Sequence, residues 1–251
     1  MDSNSKPTFE VCFSPALLGN YELEDKIVVV IDVLRATTSM CVAFENGAKL
    51  IVPVETTDES MSYREKGYLV GAERKGEKVE GFDFGNSPFS FMNEKIKGAK
   101  IAITTTNGTR AIRASIKADK LVVGSFANLK TLTDWLKKQN QNVLCVCSGW
   151  KNSFNLEDTL FAGALAYHLQ EDFGLSYHRD SVLAAKHLYL ISRQDLVGFL
   201  KNSSHYLRLH NLQIDKDIDF CLTANQTNVI PILKDGVLYE ISKLEKANAS
   251  Y

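Results

Sequence analysis

The segment Lys26-Ile-Val-Val-Val-Ile31 constrains this chain more than any other, because its β-branched, apolar residues leave no polar face for water. Such a run is predicted to be a strand buried on both sides, the setting of a parallel sheet covered by helices. It ends at Asp32, and a carboxylate at the end of an apolar strand is costly unless it meets a cation or hydrogen-bond donors. The strand end is therefore the first place to look for chemistry.

The neighbouring sequence repeats a strand-to-helix pattern. A short strand over Phe9 to Phe13 precedes the buried one; a helix over Thr37 to Asn46 stops at Gly47, and a strand over Leu50 to Val54 leads to a polar helix near Asp58. The pattern recurs as a strand over Lys100 to Thr104, a helix over Asn107 to Lys117, a strand over Leu121 to Gly124 and a helix over Leu129 to Gln139. One constant offset carries Thr38 onto Thr109, Ala43 onto Ala114 and Lys49 onto Lys120, so the two units read either as structural relatives or as chance likeness. A third step runs from a strand over Asn142 to Cys147, through a loop, to a helix over Leu156 to Leu169. Further helices are expected over Ser181 to Leu190 and Gln194 to Lys201, then a strand near Val229 to Leu233 and a terminal Tyr239 to Leu244 segment. The glycine-rich region between Lys66 and Lys95 reads as an irregular excursion. The predicted architecture is a three-layer α/β/α unit with a mainly parallel sheet, spanning 1–251 as one catalytic body, with two related, packed subdomains of about 8–98 and 99–251.

Formal net charge is −1, from 29 basic and 30 acidic residues, so there is no positive field for general nucleic-acid binding. No apolar run approaches the ~20 residues that span a bilayer, and Met1 to Lys6 lacks the apolar core of a signal peptide, so the cytoplasm is the expected location. Five cysteines are an odd number, and reduced, buried thiols are expected; Cys145 and Cys147 have no second pair or histidine cluster to make a zinc site. Apolar residues in the C-terminal third suit a homo-oligomer contact.

Three loops hold the candidate residues. In the first, Asp32 is a candidate magnesium ligand, Arg35 faces a substrate anion, and Thr37 and Thr38 offer donors at a helix start; the same residues also read as an N-cap cluster. In the second, Thr104-Thr105-Thr106-Asn107-Gly108-Thr109-Arg110 has the small residues that let backbone amides approach phosphate, and equally those of an ordinary helix cap. In the third, Asn155-Leu156-Glu157-Asp158 puts two carboxylates in a first helical turn, where they suit either a hard cation or the helix dipole. The excursion adds Gly71-Ala72-Glu73-Arg74 and Gly81-Phe82-Asp83-Phe84-Gly85-Asn86-Ser87-Pro88 as substrate-facing or plain surface loops. Absences narrow the chemistry. Leu34 stands where a haloacid-dehalogenase phosphatase needs its second aspartate, no cysteine has an arginine six positions on, and neither a Gly-x-Gly-x-x-Gly nor a Walker loop occurs. The five histidines are dispersed without metal-ligand spacing.

Taken in order, Asp32-Val-Leu-Arg-Ala-Thr-Thr38, Gly81-Phe-Asp-Phe-Gly-Asn-Ser-Pro88, Thr104-Thr-Thr-Asn-Gly-Thr109 and Leu156-Glu-Asp158 with Ala162-Gly163 resemble the 2-phosphosulfolactate phosphatase family. The resemblance runs from about Phe9 to Leu233. It implies an α/β enzyme that uses Mg²⁺ to hydrolyse 2-phospho-3-sulfolactate, a small anionic phospho-acid, in coenzyme M biosynthesis. It also implies that Asp32, Glu157, Asp158 and Glu73 supply metal ligands, that the Thr105 to Thr109 loop holds phosphate, and that Asn86, Arg35 and Arg110 meet the rest of the substrate. Two positions depart from the family pattern: Ser148 stands where an alanine is expected and Asn225 where an aspartate is expected. These departures keep open a phosphatase of another short phospho-acid, or a non-catalytic binder of such an acid.

Overall fold

A computed structural model describes residues 6–175 and 180–248; the polar N-terminal residues 1–5 and His178 lie outside them. The strands are β1 (Thr8–Cys12), β2 (Lys26–Ile31), β3 (Leu50–Pro53), β4 (Leu69–Arg74), β5 (Glu77–Lys78), β6 (Lys100–Thr104), β7 (Lys120–Gly124), β8 (Asn142–Cys147), β9 (Gly174–Leu175), β10 (Pro231–Lys234) and β11 (Val237–Glu240). They form one sheet in the order β5-β4-β6-β3-β11-β10-β7-β2-β8-β1-β9. The helices are α1 (Ala36–Glu45), α2 (Thr57–Ser62), α3 (Gly108–Ala114), α4 (Leu129–Gln139), α5 (Leu156–Leu169), α6 (Asp180–Ser192), α7 (Leu196–Leu200), α8 (Ser204–Asn211), α9 (Asp215–Leu222) and α10 (Ile241–Asn248). This is the expected α/β class with a mostly parallel sheet.

Strand β2 is buried on both faces, as its composition requires. Ile27, Val29 and Ile31 enter a core shared with Leu132, Leu136, Phe161 and Leu165 of α4 and α5, whereas Val28 and Val30 enter a second core with Met40, Cys41 and Phe44 of α1. That second core also takes Ile101 and Ile103 of β6 and Ile112 of α3. All five cysteines are buried and reduced, as anticipated.

The two strand-to-helix units pair crosswise. Strand β2 of the first lies parallel to β7 of the second, and β3 of the first lies parallel to β6 of the second. The antiparallel hairpin β10-β11 fills the gap between β7 and β3. Three antiparallel pairings separate the two parallel blocks, so in a flat sheet the ends of β2 and β6 would lie on opposite edges. The segments that follow these two strands nevertheless meet, at Ala36 and Gly108, at the site described below.

The excursion between Lys66 and Lys95 is corrected by the structure. Leu69–Arg74 is a strand of the main sheet, parallel to β6 and buried at Val70 and Ala72. Gly71 disguised it in sequence, yet a Cβ there would sit 3.0 Å from Ile103, so the glycine permits close pairing. Helices α8 and α9 were not anticipated either.

Gly163 shows how tightly the layers pack. A Cβ at this position would lie 2.0 Å from the Ala185 carbonyl oxygen, where α5 meets α6. Gly163→Ala should therefore lower the unfolding free energy by about 1–3 kcal/mol, read as an earlier urea midpoint. An unchanged midpoint would show that α6 can move away freely.

Candidate active site

The first polar residue after the β2 run is Asp32, and the turn that follows is tied from both sides. The Asp32 amide donates to Thr37 Oγ1 (3.1 Å), the Thr37 amide donates to the Asp32 carbonyl (3.0 Å), and the Thr38 hydroxyl donates to the Val33 carbonyl (2.9 Å). Thr37 and Thr38 are fully buried and do not line the cleft. They brace the loop rather than face a ligand, contrary to the expectation for them. The Leu34–Arg35 peptide is cis.

The β6 loop meets this turn directly. The Thr109 amide donates to Thr105 Oγ1 (3.1 Å) and the Thr109 hydroxyl to the Thr105 carbonyl (2.9 Å). Among the described residues the backbone amides of Thr106, Asn107 and Gly108 have no partner. A Cβ on Gly108 would lie 2.7 Å from Ala36 Cβ and 3.0 Å from Asp32 Oδ2, so only glycine lets the two loops touch. Thr105, Thr106 and Asn107 line the cleft. Arg110 does not: two residues beyond Gly108 is about 200° around a helix, and it lies exposed in another groove with Glu55, Thr56 and Arg113.

Helix α5 brings the remaining carboxylates. Asp158 Oδ1 accepts from the Val33 amide (2.8 Å), and its Oδ2 accepts from the Gly149 amide (3.2 Å) and Asn155 Nδ2 (2.9 Å). Its oxygens hold the first and third loops together. Glu157 Oε1 accepts from Asn155 Nδ2 (2.9 Å) and faces His205 Nδ1 at 2.5 Å, whereas Oε2 is buried with no partner. Glu157 lies just behind the cleft wall, close enough to Asp32 to act on it.

The electrostatics follow from this crowding. Burial pushes Asp32 up to about 6; a cationic His205 ring opposes that rise, and the Glu157 and Glu73 carboxylates add to it. Burial also pushes Asp158 well above the usual carboxylate range, helped by Glu157 and Asp32. For Glu157, burial acts in the same direction, but the charge and hydrogen bond of His205 outweigh it and hold the group below its ordinary value. Three carboxylates cannot all ionise in a dry site without added positive charge. Among the described residues no three His, Cys, Asp or Glu side chains form a ready-made metal cage. A hard cation such as Mg²⁺ needs only one or two carboxylates beside water and phosphate oxygens, and Asp32 with the orphaned Glu157 Oε2 fits that need.

The opposite wall comes from the strand that the sequence concealed. Glu73, at the end of β4, accepts from the Gly76 amide through Oε1 and from Thr106 Oγ1 through Oε2 (3.3 Å). Asn86 lines the cleft with its Oδ1 buried and unpartnered. The segment before it is a strap: Asp83 accepts from the Val70 amide (2.9 Å), and Ser87 donates to Asp217 Oδ1 (2.9 Å). Arg35 also lines the cleft, but its guanidinium is already bonded to Asp217 Oδ2 and the Gly76 carbonyl, both at 2.5 Å.

Trp150, His205, Arg208 and Asp217 are the residues that sequence reasoning missed. His205 and Arg208 lie one turn apart on α8, and the His205 ring sits 5.7 Å from that of Trp150. The signal was present, since Ser203 caps this helix by accepting from the Tyr206 amide, with apolar Tyr206, Leu207 and Leu209 following. Of the two departures, Ser148 adds a buried hydroxyl without a partner. Asn225 accepts from the Lys130 amide (2.8 Å) in the first turn of α4, away from the cleft.

The two aspartates are predicted to behave oppositely in protein held in EDTA. Asp158→Ala orphans two backbone amides and should destabilise by about 2–4 kcal/mol, whereas Asp32→Asn relieves like-charge repulsion and should raise the melting temperature. Equal losses in calorimetry would contradict this division of labour.

The family model for 2-phosphosulpholactate phosphatase matches residues 12–236. A probable 2-phosphosulfolactate phosphatase of Thermotoga petrophila is 39% identical over 86% of this chain and 92% of its own length. Proteins with the same description from Caldicellulosiruptor saccharolyticus and Caldanaerobacter subterraneus are 40% and 36% identical, each covering 93% of the relative and 87% or 88% of this chain. The match takes in all three loops of the cleft, and the chain belongs to the 2-phosphosulfolactate phosphatase family.

Proposed function

We propose that this phosphoric monoester hydrolase uses Mg²⁺ to cleave 2-phospho-3-sulfolactate to 3-sulfolactate and phosphate, the step that serves coenzyme M biosynthesis. One observation carries the reading: the buried Asp32 carboxylate lies against the loop whose Thr106 to Gly108 amides are unbonded, and it feels the charge of Glu157, which keeps an unpartnered oxygen. That is a cation position next to an oxyanion position. The names of the relatives supply the substrate.

In this reading Asp32 and Glu157 hold Mg²⁺, which would polarise a phosphoryl oxygen and offset charge as the P–O bond breaks. The amides of Thr106, Asn107 and Gly108 orient the phosphoryl group from the other side. His205 fixes Glu157 through Nδ1, so its Nε2 is left to carry a proton toward the departing alkoxide. Glu73 holds the Thr106 hydroxyl and the Gly76 amide, which keeps the phosphate loop and the β4 end in register.

Phosphate release from a panel of phosphorylated two- and three-carbon acids, with Mg²⁺ and with EDTA, tests the proposal. Turnover should favour 2-phospho-3-sulfolactate, vanish in EDTA, and fall by about 10²-fold or more in Asp32→Asn. Undiminished release in EDTA, or none from any acid with Mg²⁺, would refute it.

A further inference from the structure

Two arginines line the cleft, and they are in different states. Arg35 is buried, and its guanidinium is anchored by hydrogen bonds to Asp217 and the Gly76 carbonyl. Arg208 is half-buried and makes no hydrogen bond or ion pair among the described residues. Its guanidinium carbon rests 3.6 Å from the centre of the Trp150 ring. A guanidinium stacked over an indole keeps its N–H donors in its own plane, clear of the ring, so stacking orders the group without using its donors. Helix α8 presses both His205 and Arg208 onto Trp150, so the cation is tied to the residue that orients Glu157.

The charges that act on Arg208 are Glu73, Glu157, Asp32 and Arg35. None of the carboxylates is within ion-pair distance of it. Arg208 therefore looks across the cleft at the acidic cluster rather than closing onto it. A ligand whose phosphoryl group sits at the Asp32 and Thr106 to Gly108 side would present its remaining anion to the free fork.

We propose that Arg208, held flat by Trp150, is the specificity-determining residue that recognises the non-reacting anion of the substrate, a sulfonate or a carboxylate. The inference rests on the phosphatase reading above and adds to it which side chain distinguishes an acid from a plain alkyl phosphate. Arg35 then serves as a strut between the β2 turn, α9 and the β4 end.

The test measures kcat/KM of the Mg²⁺-loaded enzyme for four compounds: 2-phospho-3-sulfolactate, 2-phospholactate, the phosphate ester of 2-hydroxyethanesulfonate, and propyl phosphate. Arg208→Met should reduce the preference for 2-phospho-3-sulfolactate over propyl phosphate by about 10- to 100-fold, mainly through KM, as expected for loss of a charge-assisted pair. Of the two singly truncated esters, the one that keeps the recognised anion should show the same loss. Arg208→Lys should recover part of the preference, and Trp150→Leu should lose part of it. Calorimetric titration with 3-sulfolactate and with inorganic phosphate adds a readout without turnover: the variant should weaken sulfolactate binding more than phosphate binding. A uniform loss across all four esters, with the preference unchanged, would overturn the proposal and make Arg208 a counter-charge for the acidic cluster. Failure of the wild-type enzyme to release phosphate from any ester would instead reject the phosphatase reading on which it rests.

Discussion

The site depends on the cost of burying Asp32, Glu157 and Asp158 together where two strand ends meet a helix start. Dry carboxylates must be met by donors, by protons or by a cation. Asp158 has the first solution, with two backbone amides and Asn155 around it. Glu157 has half of it, since His205 and Asn155 serve one oxygen while the other is left bare. Asp32 has the Ala36 amide, and burial holds it near 6. Glu157 is thus left with one bare oxygen, and Asp32 lies against the loop whose amides are free.

Topology explains how such distant residues can meet. The crosswise pairing of β2 with β7 and β6 with β3 lets one unit complete the other, with the hairpin β10-β11 as a spacer. The first turns of α1 and α3 come into contact at Ala36 and Gly108. Any side chain at position 108 would force apart the loops that form the site. Helices α8 and α9 then close the open side, adding His205, Arg208 and Asp217.

Much of this was readable in advance, and the misses have physical causes. Strands β2, β6 and β8 and helices α4 and α5 fall where the apolar periods place them, because long buried runs admit one reading. Strand β4 was obscured by Gly71 and by two charges at its end, although burial of Val70 and Ala72 against β6 outweighs that local preference. Thr37 and Thr38 carry the right chemistry for an anion but are consumed by the turn. Arg110 has the right charge on the wrong side of a short helix. The importance of His205 and Arg208 comes from α8 being laid across Trp150, a tertiary event with no trace in their spacing from Asp32 or Glu157.

The Mg²⁺-dependent chemistry proposed above requires Asp32 and Glu157 to share one cation beside the Thr106 to Gly108 amides. Anomalous diffraction from crystals grown with Mn²⁺ in place of Mg²⁺, together with vanadate as a phosphate mimic, tests this most directly. A single strong peak bonded to both carboxylates, with vanadate between that ion and the three amides, is the expected result. A peak elsewhere, or none at saturating Mn²⁺ with vanadate bound, would contradict it.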